Sequence, residues 1–277
     1  MADPAHPAAP VAPVAPATRV RAWRPDVPGL TEVLHAAFTS HAYPKHTHDA
    51  WTVLLVDAGG VRYDLDRREH QTAPSRVVLL PPHVAHDGRA AGAEGFRKRV
   101  LYLDTSQVDV QRLGRAVDRP DWTDPSLWAA VDRVHRAVQR PGDELEAETW
   151  LAIVTARLGR HLDRTDAAPA RGRAPTLARR LQDLLDAHVV DGISLATASA
   201  VLGAGPSHLV RAFGHELGIS PHRYLVGRRV DVARRLLLAG TPPGVVAVEA
   251  GFHDQAHLTR HFRRTLGVTP AAYARSA

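Results

Sequence analysis

Apolar and polar positions along the chain change period once, and the change divides it. VRYDLD at Val61 to Asp66 alternates at period two, follows WTVLLVDAGG at Trp51 to Gly60, and is joined to it through Gly59 and Gly60 as a hairpin. RVVLLPP at Arg76 to Pro82 and RKRVLYLD at Arg97 to Asp104 add two more strands, so residues from about 36 to 104 read as a small barrel or sandwich. The period then lengthens. Pro125 to Arg140 carries Leu127, Trp128, Val131, Val134 and Val138 on one face, and Asp143 to Leu162 carries Ala147, Trp150, Leu151, Val154 and Leu158. Such stripes fit burial against their own domain or an antiparallel helical dimer interface. TDAAPARGRAPT at Thr165 to Thr176 is a linker by composition.

From Leu177 onward every segment reads as helix: Leu177 to His188, Ser194 to Leu202, Ser207 to Leu217, Pro221 to Leu238, Pro243 to Ala250, Gln255 to Leu266 and Pro270 to Ala274, separated by glycine or proline. Within them one unit occurs twice. HLVRAFGHELGISPHRY at His208 to Tyr224 returns as HLTRHFRRTLGVTPAAY at His257 to Tyr273. In each, a helix, a tight turn and a second helix have helix-turn-helix spacing. Leu209, Phe213 and Leu217 share an inward face, as do Leu258, Phe262 and Leu266. That leaves Ser207, Val210 and Arg211 outward in the first copy, and Gln255, Ala256, Thr259, Arg260, Arg263 and Arg264 in the second. A helix of this length fits the DNA major groove, where Arg pairs with guanine edges and Gln with adenine; Arg263 and Arg264 sit further along, towards phosphate. The connector Pro221 to Leu238 holds the units about 27 Å apart at roughly 1.5 Å per residue. With the width of the units added, this approaches the roughly 34 Å pitch of B-DNA, so two reading helices can enter successive grooves on one face. Arg228, Arg229, Arg234 and Arg235 of the connector are expected in solvent or at the DNA backbone. Two copies are too few for a solenoid.

Composition sharpens this picture. The 277 residues suffice for two domains, each with a core of its own, and a hydrophobic share of 44% favours globular folding. With no cysteine, disulfides, thiolate metal sites and cysteine nucleophiles are excluded. No apolar run nears the roughly 18 residues of a membrane span, which predicts a cytoplasmic protein without membrane contact. Residues 1–19 are an Ala/Pro-rich arm expected to be disordered. The formal charge of +6 is uneven: residues 171–277 hold 14 Arg against 7 acids, an excess that points to a polyanion partner, double-stranded DNA.

Residues 177–277 resemble the DNA-binding domain of the AraC/XylS family of bacterial transcription regulators. GF-x-D, LTR-x-F, LG-x-TP and the closing Tyr273 are similar to that family's C-terminal signature, and A-x2-LL at Ala233 to Leu237 resembles the end of its linker helix. The resemblance implies base reading by Ser207, Val210 and Arg211, and by Gln255, Ala256, Thr259 and Arg260. Where the family often has an aromatic pair, this chain has Ala256, His257 and Leu258. HAYPKHTHDAW at His41 to Trp51 and LLPPHVAHDG at Leu79 to Gly88 resemble the motifs of the cupin-like sensor of these regulators.

His46 and His48, two apart on a strand, face one side, and His86 joins them from a later strand. Three imidazoles in a barrel either hold a divalent transition metal or pack and hydrogen-bond around an organic effector. Trp51, Tyr63, Arg76 and Tyr102 are the further cavity candidates. The expected architecture is α+β: a cupin-like β-barrel with two following helices over residues 20–164, a linker over 165–176, and an all-α domain with two helix-turn-helix units over 177–277. The function it implies is effector-controlled, sequence-specific transcription regulation by a homodimer, with RNA polymerase as a further partner. The competing reading is a metal-dependent cupin enzyme fused to a DNA-binding domain. It lacks the carboxylate that the enzymatic pattern supplies about five residues after the second histidine, where Trp51, Thr52 and Val53 stand.

Overall fold

The computed structural model describes residues 18–163 and 176–276. Most of the expected arm and linker therefore lie outside the described residues, although Arg19, assigned to the arm, already opens a strand.

Among the described residues ten strands form two antiparallel sheets. They are β1 (Arg19–Trp23), β2 (Leu30–Phe38), β3 (Tyr43–His46), β4 (Trp51–Gly59), β5 (Val61–Leu65), β6 (Arg68–Thr72), β7 (Val77–Leu80), β8 (His86–Ala90), β9 (Phe96–Leu103) and β10 (Asp121–Trp122). One sheet has the order β1-β2-β9-β4-β7-β10, the other β3-β8-β5-β6. The strand alternation sorts side chains by parity. On β4, β7 and β9 the even positions Leu54, Val56, Val78, Leu80, Val100 and Tyr102 belong to the inner core, while Val53, Leu55, Val77, Leu79, Leu101 and Leu103 meet helices on the outer face.

Those helices follow α1 (Leu113–Asp118): α2 (Pro125–Ala137), capped by Asp124, and α3 (Glu144–Asp163). Their apolar stripes bury against the sheet of their own chain, with Trp128 and Trp150 half-buried at the margin.

The C-terminal region folds as α4 (Leu177–Ala187), α5 (Leu195–Leu202), α6 (Pro206–Leu217), α7 (Pro221–Leu238), α8 (Pro243–Glu249), α9 (Gln255–Leu266) and α10 (Pro270–Ala274). The repeated G-[IV]-[ST]-P has a mechanical reason. Gly218 and Gly267 end α6 and α9 in the left-handed conformation, at φ of 68° and 77°, and Ser220 and Thr269 then cap α7 and α10 ahead of a proline at the first helical position.

The expectation of two separate cores is corrected. Val230, Ala233, Leu237, Leu258, Phe262, Leu266 and Tyr273 of the helical region are continuous with Leu34, Phe38, Tyr43 and Val100 of the barrel interior. The first helix-turn-helix unit has its own cluster around Leu209, Phe213 and Tyr224, which Ala85 from the sheet region joins. Amphipathic patterning says that a face is buried; it does not say against what.

Candidate functional site

Two candidate surfaces stand out: an exposed face on the repeated helices and a cavity between the sheets. On α6, Ser207, Val210 and Arg211 are exposed while Leu209, Phe213 and Leu217 are buried. On α9, Gln255, Ala256, Arg260, Arg263 and Arg264 are exposed and Thr259 half-buried, over a buried Leu258, Phe262 and Leu266. These six α9 residues line one open hollow. Asp254 caps α9 by accepting from the His257 N–H at 2.7 Å, which fixes where the reading helix starts.

The cavity is lined from both sheets by His46, His48, Tyr63, His86, Lys98 and Tyr102, over apolar walls that include Leu34, Leu54, Val78 and Val100, and by Leu266 from α9. Thus the last residue of the second reading helix is also part of the sensor's wall. The hydroxyls of Thr52 and Tyr63, both deeply buried, have no hydrogen-bond partner among the described residues. Lys98 makes no ion pair among them either; its Nζ lies 3.9 Å from the Tyr43 ring, and burial lowers the ammonium to about 7.

Two expected cavity residues are not there. Trp51 has the wrong parity: it is fully buried among the outer-face residues and donates its indole N–H to the Val108 carbonyl at 3.0 Å. Arg76 precedes β7 and donates to Asp121 Oδ2 at 2.5 Å. Lys98, Tyr43 and Leu266 take part instead. Lys98 was readable as a cation at an inward position of RKRVLYLD; Leu266 was not, because no local pattern reports a contact with another domain.

The three histidines do converge. One ring nitrogen from each lies within 4.8 Å of the other two, and all three residues are buried. Burial, followed by the charges of their neighbours, holds His46 and His48 well below the usual histidine range, and burial, against the hydrogen bond to Val84, holds His86 at about 4.

A buried polar latch joins cavity and linker helix. Arg234, 4% exposed, donates from Nη2 to Glu32 Oε1 at 2.7 Å and stacks 4.3 Å over the Tyr102 ring, and the Tyr273 hydroxyl donates to the same Glu32 oxygen. Arg228 pairs with Asp49, Asp186 and Asp231, and Arg235 with Asp49. Burial raises Asp49, but Arg228 and Arg235 outweigh it and hold the carboxyl at about 2. Asp231 Oδ1 lies 3.3 Å from His48 Nδ1. The expectation of a solvated or DNA-facing arginine row on α7 is therefore corrected for Arg228 and Arg234, which are shielded and paired with carboxylates of both the sensor and the helical region; Arg235 pairs with Asp49 but stays exposed, and Arg229 donates to the Val189 carbonyl.

A sheet-built cavity whose wall includes a residue of a helix-turn-helix unit is the arrangement expected of a two-part transcription regulator. The chain belongs to the AraC family: residues 28–152 match the AraC-like ligand binding domain and residues 198–276 match a helix-turn-helix domain. It is 24% identical over 226 residues, 78% of this chain and 81% of the relative, to the HTH-type transcriptional regulator YbfI of Bacillus subtilis. It is 36% identical to the virulence regulon transcriptional activator VirF of Yersinia enterocolitica, over 33% of this chain and 34% of that one. In fold it is similar to unsaturated fatty acid bound ToxT from Vibrio cholerae, with a TM-score of 0.60 and 14% identity over 93% of this chain and 94% of that one. No helix of the described residues is long and apolar enough to cross a membrane.

Proposed function

We propose that the protein is a sequence-specific DNA-binding regulator whose operator occupancy is set by a small-molecule effector in the barrel cavity. The observation that carries this reading is Leu266, which belongs at once to the second reading helix and to the cavity wall. The cavity has a free volume of only about 40 Å³. Organic ligands need several hundred, so an effector larger than a few waters must displace part of the lining, and Leu266 is the lining residue whose displacement would move the seat of α9. Binding is then favourable only to the displaced arrangement, which is the condition for a ligand to shift a population. The unpartnered Thr52 and Tyr63 hydroxyls and the Lys98 ammonium favour an effector with an acidic or hydrogen-bonding head and an apolar body. ToxT, of the same fold, binds an unsaturated fatty acid.

In this reading Ser207, Val210 and Arg211 meet one half of the operator, and Gln255, Ala256, Thr259 and Arg260 the next. Arg263 and Arg264 contact phosphate. Pairing into a homodimer repeats the arrangement on a second site and presents the complex to RNA polymerase. Function as a regulator rather than a cupin enzyme agrees with Trp51, Thr52 and Val53, which stand where the enzymatic pattern supplies a carboxylate about five residues after the second histidine.

The test is selection of genomic fragments by the full chain, followed by nuclease protection. The expected footprint has two protected segments about 10 base pairs apart on one face of the duplex, one for each reading helix. Protection without sequence preference, or of one segment insensitive to substitutions in α6, overturns the reading.

A further inference from the structure

Hydrogen bonding on the outer edges of the histidine trio fixes what its inner edges can do. His46 Nδ1 lies 2.7 Å from the Pro44 carbonyl and His86 Nδ1 lies 3.0 Å from the Val84 carbonyl. A carbonyl only accepts, so in both rings the proton sits on Nδ1 and Nε2 is left as a lone pair. The third ring brings its Nε2 to 3.2 Å from His46 Nε2. Its Nδ1 lies between two groups on α7 with opposite demands: Asp231 Oδ1 at 3.3 Å, which accepts, and Arg234 Nη1 at 3.4 Å, which donates.

We propose that His46, His48 and His86 bind a divalent transition-metal ion through Nε2, and that Asp231 of the linker helix reads its presence through His48 Nδ1. Zinc-type bonds of about 2.0–2.1 Å at tetrahedral angles set donor nitrogens about 3.3 Å apart, close to the His46–His48 spacing. Three neutral imidazoles select zinc, copper, nickel or iron over magnesium and calcium, which require oxygen ligands. A free volume of about 40 Å³ suits an ion with a water or two. Carbonyls or a carboxylate on the second nitrogen of every ring form the outer shell that metal-bound histidines carry. Lys98 opposes a bare cation, so an anionic oxygen ligand completes the site on the cavity side.

The consequence rests on the sensor reading above; the geometry does not. Without an ion, a proton on His48 Nε2 donates to His46 Nε2, and Nδ1 accepts from Arg234. An ion on Nε2 forces the proton to Nδ1, where it donates to Asp231. One tautomer shift thus exchanges the partner of His48 on α7 from arginine to carboxylate and tightens the sensor on the linker helix.

The full chain, stripped with a chelator, is titrated with Zn2+ against a chromophoric competitor and with Co2+ by visible absorption. The expected result is one tight ion per chain with tetrahedral Co2+ bands. His86→Ala weakens binding at least 100-fold, and Asp231→Asn weakens it 10- to 100-fold with stoichiometry kept. His188→Ala, outside the trio, leaves binding unchanged. X-ray absorption of the Zn2+-loaded wild type counts imidazoles without any variant, with three expected. Fewer than three, or a His86→Ala protein that binds as well as wild type, overturns the site; an unaltered Asp231→Asn affinity overturns the role of the linker helix. Absent Zn2+ binding with operator protection intact refutes this inference alone, whereas tight binding with no protected DNA refutes the regulator reading alone.

Discussion

Arg260 stands exposed on α9, with no ion pair among the described residues. In the proposed reading its guanidinium pairs in bidentate fashion with a guanine edge, so Arg260→Ala is expected to cost about 1–3 kcal/mol of operator binding and to relax preference at one base. Anisotropy titrations at fixed salt against the operator and single-base variants check this; equal loss on every sequence would make Arg260 a phosphate contact. A second residue reports on the sensor instead. His35 on β2 lies 3.2 Å from His135 of α2, and burial, then Arg99, lowers it from 6.5 to about 4. It is neutral in the fold, so between about pH 4 and 6.5 the unfolded chain binds the additional proton. Its contribution is complete above pH 6.5 and is lost as pH falls through 4. Urea midpoints should therefore drop from pH 7 to pH 5, and less steeply in His35→Leu; an unchanged slope in that variant would exclude His35 as a source. At this scale the sequence was legible wherever period alone decides. It placed the exposed faces of α6 and α9 and the three histidines, and failed for Trp51, because a strand buried on both faces gives no sign of which parity looks into the cavity.

Among the elements, α7 departs most from its sequence pattern. Its arginines resemble a solvated or DNA-facing row because their partners, Glu32 and Asp49, stand 202 and 186 residues earlier in the chain. The paired tyrosines of the repeat show how one motif came to serve two attachments. Tyr224 donates to Asp186 of α4 at 2.8 Å, within its own domain, whereas Tyr273 donates to Glu32 of the sensor. The second unit has kept the motif and changed the anchor. Because Glu32 is 5% exposed, removing its partner leaves a buried charge, and Arg234→Ala is expected to cost about 3–5 kcal/mol. Glu32→Gln combined with Arg234→Met should cost well under the sum of the two single changes, since neither charge is then left alone. Denaturant unfolding of the four proteins closes this cycle, and strict additivity would show that the two side chains do not act as a pair.

For the molecule as a whole, the seam between sensor and reader is part of the interior. Leu266 is 3% exposed, Ser276 Oγ accepts from the Ala22 N–H of β1 at 3.0 Å, and Gly267 turns where an added Cβ would meet Phe38 at 2.8 Å. Domains that share a core unfold together, because opening either one exposes apolar surface of the other. The full chain is therefore expected to melt in one calorimetric transition with matching calorimetric and van't Hoff enthalpies. A fragment of residues 176–277, which loses the barrel side of that surface, should melt at a lower temperature. Leu266→Ala, which removes buried volume at the seam, should cost about 2–5 kcal/mol in the full chain and far less in the fragment, where the site is already open to water. Two resolved transitions, one coinciding with the fragment, would show that the domains meet without sharing stability. The cavity could not then act on α9 through Leu266, and effector control would have to run through the α7 latch alone.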